Sequence, residues 1–78
     1  MDRQQIEHLV LAVLAAVLKC EADVGTSRQN TPQWDSLKHI EIIFAVEDEL
    51  DIEFSEKEMA DLDSVAKIID LALTSHAA

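Results

Sequence analysis

Ile6, Leu9, Val10, Val13, Val17 and Cys20 recur at spacings of three and four, the pattern of an amphipathic helix that buries one stripe. Asp2, with Gln5 three residues on, gives that helix an N-cap and a capping-box partner. Cys20 shares the stripe with Val13 and Val17 and reads as a buried, inert thiol. From Ala22 to Trp34 the periodicity stops and Gly25, Thr26, Ser27, Asn30, Thr31 and Pro32 gather. This predicts a long loop, pinned to the core by Val24 and Trp34, and loops of that length without structure of their own are often functional.

A second helix is predicted from an N-cap at Asp35 to about Leu50. Ser55 and Glu58 form a capping box for a short third helix ending near Asp61. Asp63 or Ser64 caps a last helix that carries Val65, Ile68, Ile69 and Ala72 inward. Asp51 to Phe54 alternates like a strand, but with no second strand to pair with it reads as an extended connection. The expected fold is all-α: four helices in one domain spanning residues 1–78, with a long loop between the first two and a short third helix.

Composition narrows the functions open to such a domain. The chain has 78 residues, 6 Lys+Arg and 16 Asp+Glu, for a net charge of −10. A surface this acidic repels phosphate backbones and anionic lipid, which disfavours nucleic-acid and membrane-surface binding and favours partners with basic patches. The acidity is uneven: residues 1–34 hold three basic and four acidic side chains, whereas residues 35–78 hold three basic and twelve acidic. The apolar run Leu9 to Leu18 is half the ~20 residues a membrane span needs. As an export signal its flanks are weak, with Asp2 offsetting Arg3 and Lys19 directly before Cys20, so a cytoplasmic location is expected; the domain is expected to be a monomer. One cysteine forms no internal disulfide, His8, His39 and His76 have no zinc-ligand spacing, and a single Gly25 excludes a Gly-rich phosphate loop.

Stepping 100° per residue along the second helix puts His39, Ile42, Ile43, Val46 and Leu50 on a core face. Leu37, Glu41, Phe44 and Asp48 fall on the opposite face, with Ile40, Glu47 and Asp51 at its margin. Apolar and acidic side chains interleaved on a solvent face describe a docking surface: Leu37, Ile40 and Phe44 for contact, Glu41, Glu47 and Asp48 for steering a basic partner. Ser36 stands in the first turn, where unpaired amides and the positive end of the helix dipole favour a phosphate esterified to its hydroxyl.

Asp35-Ser36-Leu37, the apolar helix with Glu41 and Glu47-Asp48-Glu49, and then Asp51-Ile52-Glu53-Phe54 resemble acyl carrier proteins, and the resemblance runs through Val65 and Ile69 to cover essentially the whole chain. It implies a four-helix carrier fold and a non-catalytic protein of fatty-acid or specialised-metabolite biosynthesis. In that family the serine of Asp-Ser-Leu, here Ser36, carries 4′-phosphopantetheine, whose thiol holds the cargo as a thioester. The implied partners are a phosphopantetheinyl transferase, an acyl-activating ligase or synthase, and acyltransferases with basic docking patches. The implied acyl pocket comprises Val46, Phe54, Met59, Leu62 and Ile68. Pro32-Gln33-Trp34, Lys38 and His39 depart from fatty-acid carriers and look more like discrete carriers of specialised pathways, of acyl or aminoacyl type. Phe54, Met59 and Ile68 replace smaller groups, which implies a cargo that is short, polar or left outside. Asp63-Ser64-Val65 repeats the Asp-Ser-aliphatic pattern but lacks the long loop and the acidic face, so Ser64 reads as a cap.

Other readings compete less well. Ser36, His39 and Asp35 could be assembled into a catalytic set, but His39 points to the core face and no oxyanion hole is suggested. Glu47, Glu49, Asp51, Glu53 and Glu58 match ligand positions of a calcium loop, yet Ile52 stands where its turn requires Gly, so no metal site is expected. The alternative from another class is an unmodified acidic helical adaptor that uses Leu37, Phe44 and Glu41 to bind a basic protein.

Overall fold

In the computed structural model, which describes residues 2–77 and side chains through Thr74, the first capping box closes as its residues require. Asp2 Oδ1 accepts the Gln5 amide at 2.9 Å and Gln5 Oε1 accepts the Asp2 amide at 3.0 Å. From it runs α1, Arg3–Leu18. Asp35 caps α2, Ser36–Leu50, by accepting the Lys38 amide at 2.9 Å. Ser55 and Glu58 form the second capping box and open α3, Glu56–Asp61. Ser64 accepts the Lys67 amide at 3.2 Å at the head of α4, Val65–Ala77, so of the two candidate caps Ser64 takes the role.

The fold is all-α, with four helices and, among the described residues, no strand. Asp51–Phe54 forms an unpaired connection. Helix α1 packs against both α2 and α4. The core joins Ile6, Val10, Val13, Leu14 and Leu18 of α1 to Ile42, Ile43, Val46 and Leu50 of α2 and Val65, Ile68, Ile69 and Ala72 of α4. Trp34, Phe54 and Leu62 enter it from the connections. Each fully buried Leu or Ile side chain stabilises by about 1.5–3 kcal/mol relative to exposure. The radius of gyration, 11.1 Å, is close to the roughly 11.5 Å of a folded chain of this length. No helix among the described residues is long and apolar enough to cross a membrane.

Two expectations about α1 change. Leu14 and Leu18 are buried while Leu9, Val17 and Cys20 are only partly so, because the inward face is set by wedging between α2 and α4. The helix also ends at Leu18, with Lys19 in the left-handed region at φ 57°, and Cys20 lies beyond it as a half-buried thiol.

The connection from α1 to α2 has structure of its own. Asp23 Oδ1 accepts the Gly25 amide at 2.8 Å, Thr26 Oγ1 accepts the Asp23 amide at 2.9 Å, and Asn30 Oδ1 accepts the Ser27 amide at 3.0 Å. An isolated antiparallel bridge pairs Ser27 with Ser64, flanked by Arg28 N–H to Asp63 O at 2.8 Å and Val65 N–H to Thr26 O at 3.0 Å. Trp34 is the buried anchor of this loop, with Thr26 and Thr31. Val24 is not an anchor: at 55% exposure it stands in solvent, because the Asp23–Thr26 turn projects it away from the helices.

Candidate functional site

The site begins at the head of α2. Asp35 has extended backbone and its carboxylate takes up the Lys38 amide, which leaves the amides of Ser36 and Leu37 without intrahelical partners. Ser36 is the first helical residue and is exposed. Its Oγ accepts a hydrogen bond from Arg28 Nη2 at 3.0 Å. That guanidinium reaches it from the bridge between Ser27 and Ser64. Sequence reading missed Arg28, because the contact depends on the path of a loop with no periodicity.

Behind the serine, the core anchors the helix. Trp34 Nε1–H donates to His39 Nδ1 at 3.0 Å, and His39 Nε2 lies 2.6 Å from the Met59 carbonyl oxygen. Since Nδ1 accepts, Nε2 carries the proton and donates it to Met59. One buried ring thus ties the loop, α2 and α3 together, and no described buried side-chain polar atom lacks a partner. His39 spends both nitrogens on these bonds, so it has none to take a proton from Ser36. Asp35 is likewise engaged as the cap.

Leu37, Ile40 and Phe44 are 65%, 51% and 56% exposed on the outward face of α2. Neither the loop nor α3 covers Phe44. With the exposed Val24 they are the large apolar side chains that the described surface leaves open. Glu41 and Asp48 are exposed beside them, and Glu41 Oε2 lies 3.4 Å from Lys38 Nζ, a surface pair of small energy. Glu47 sits differently: it is half-buried, and its Oε2 accepts the Phe54 amide at 2.7 Å. It fastens the connection after α2 as well as adding charge.

The residues of the implied acyl pocket are packed side chains. Val46, Phe54, Leu62 and Ile68 are buried and Met59 is half-buried. An open cleft of about 380 Å³ between α3 and α4 takes Leu62 of these five, with Glu58, Asp61, Lys67, Asp70, Leu71 and Thr74. The carboxylates considered for calcium are partly spent on backbone, with Glu47 on the Phe54 amide and Glu58 on the Ser55 amide. Asp51 stands at the end of α2 in the left-handed region at φ 54°. No cluster of three His, Cys, Asp or Glu side chains among the described residues could hold a metal ion. His76 lies outside the described side chains.

The arrangement suits a group tethered to the Ser36 oxygen. A phosphate esterified there would find an exposed oxygen, a guanidinium within hydrogen-bond reach and the amide-rich end of a helix. Compared with protein-family models and with curated proteins, the chain matches none, and the functional reading rests on these residues.

Proposed function

We propose that the chain is a discrete carrier protein that holds a cargo through 4′-phosphopantetheine esterified to Ser36 and presents it to partner enzymes. The observation that carries this reading is the exposed Ser36 hydroxyl at the first residue of α2, flanked by the cap Asp35 and the exposed Leu37. An acyl-carrier-like arrangement of the four helices goes with it.

When bound, the arm supplies a thiol that carries the cargo as a thioester. The protein supplies the rest. Ser36 Oγ provides the attachment atom, and Asp35 holds the first turn in shape. Leu37, Ile40 and Phe44 offer the contact area that a transferase, a ligase or synthase, or an acyltransferase would desolvate. Glu41 and Asp48 steer such basic partners to the serine. A core closed by Val46, Phe54, Leu62 and Ile68 supports a cargo that is short, polar or outside the helices, of acyl or aminoacyl type. In this reading the chemistry on the cargo belongs to the partner enzymes, in keeping with a His39 ring whose two nitrogens are tied to Trp34 and Met59.

The test is modification itself. Incubation with a phosphopantetheinyl transferase and coenzyme A adds one arm to the wild type and none to Ser36→Ala. Failure of several transferases to modify the wild type, with stable binding of a basic protein through Phe44, would replace this reading by the unmodified adaptor.

A further inference from the structure

Arg28 has no obvious reason to point where it does. The chain holds 16 carboxylates against 6 Lys+Arg, and the ion pairs among the described residues engage Arg3, Lys38 and Lys67. Arg28 pairs with no carboxylate among those residues. It donates instead to a neutral hydroxyl, Ser36 Oγ, eight residues away at 3.0 Å. Its main chain is fixed where it stands: its amide donates to Asp63 O at 2.8 Å, next to the bridge between Ser27 and Ser64. An exposed guanidinium thus lies within hydrogen-bond distance of the Ser36 oxygen, on a backbone anchored to the head of α4.

A guanidinium offers five N–H donors in a planar fork that matches the oxygens of a phosphate. Against a hydroxyl, one donor is used, and none of the ion pairs among the described residues engages Arg28. Against a phosphodiester on the same oxygen, two parallel charge-assisted bonds can form and the charges cancel. We infer that Arg28 is a positioning residue that clamps the phosphodiester esterified to Ser36, restricting its rotation and holding it on the loop side of α2. The inference rests on Ser36 being the attachment site.

The experiment compares unmodified and fully modified protein, the degree of modification being read by intact mass. The Arg28 Nε–Hε signal in NMR is expected to shift on modification, and its hydrogen exchange is expected to slow. The phosphorus-31 resonance of the modified protein is expected to move in Arg28→Gln and to return part of the way in Arg28→Lys, which keeps the charge and loses the fork. If Arg28→Gln does not fold, the wild-type Nε–Hε signal decides alone. A modified wild type whose Nε–Hε signal is unchanged, or whose phosphorus resonance is the same in all three proteins, overturns the clamp and leaves the attachment site standing. A wild type that accepts no arm removes both.

Discussion

Trp34 donates its indole N–H to Nδ1 of His39 at 3.0 Å, and that one bond sets the protonation pattern of the ring, because the remaining nitrogen must then donate to the Met59 carbonyl. The loop before α2 and the short α3 are thereby fastened to the same buried side chain. Nitrogen-15 NMR is expected to find His39 as the Nε2–H tautomer. Trp34→Phe keeps most of the apolar volume and strands Nδ1 without a donor, so denaturant unfolding is expected to show a loss of about 1–3 kcal/mol.

The two apolar faces of α2 predict opposite effects of truncation. Ile43 is 1% exposed, and Ile43→Ala is expected to cost about 2–5 kcal/mol of stability. Phe44, its neighbour, is 56% exposed, and Phe44→Ala is expected to stay within about 0.5 kcal/mol of wild type in unfolding. The same Phe44 change is expected to weaken binding to a phosphopantetheinyl transferase by about 1–2 kcal/mol, read by titration calorimetry.

Charge on that face acts at longer range. Asp48→Lys is expected to slow association with a basic partner several-fold at low salt, with the difference shrinking as ionic strength rises, read by stopped-flow binding. Glu47→Lys is expected to destabilise the fold as well, because its carboxylate holds the Phe54 amide.

Much of this was legible from local sequence. The capping boxes at Asp2–Gln5 and Ser55–Glu58 and the N-cap Asp35 act over three residues, so their spacing alone identifies them. On α2 the core face, His39, Ile42, Ile43, Val46 and Leu50, was readable because acids occupy much of the other side. Helix α1 is apolar nearly all round, so its wheel does not choose between Leu9 and Leu14; packing against α2 and α4 does. Contacts that span a loop leave no periodic trace. Arg28 to Ser36, His39 to Met59 and Ser27 to Ser64 depend on where the chain returns, and Val24 was misplaced for the same reason.

Helix ends offer a stability test. Asp51 closes α2 at φ 54°, a conformation that costs a side-chain-bearing residue about 1 kcal/mol and glycine little. Asp51→Gly is expected to raise stability by roughly 0.5 kcal/mol after its greater unfolded-state entropy, read as a higher denaturant midpoint at constant slope.

Near α4, the Lys67 hydrogen bond, with its charge, holds the Asp63 carboxyl below its ordinary value of 3.8. A lowered folded-state value stabilises the fold above 3.8, and that contribution is lost as pH falls through the lower folded value. The pair is exposed, so Lys67→Met is expected to remove only about 0.3 kcal/mol near neutral pH and nothing once Asp63 is protonated in both states. Unfolding as a function of pH checks the sign.

The central claim is that Ser36 carries a phosphopantetheine arm, and peptide mapping by mass spectrometry after treatment with transferase and coenzyme A tests it most directly. The predicted result is one arm per chain, located on the peptide containing Asp35-Ser36-Leu37, with none on Ser64 and none at all on Ser36→Ala. An arm on Ser64, or an unmodified chain after treatment with transferases that load other carriers in the same reaction, would contradict it.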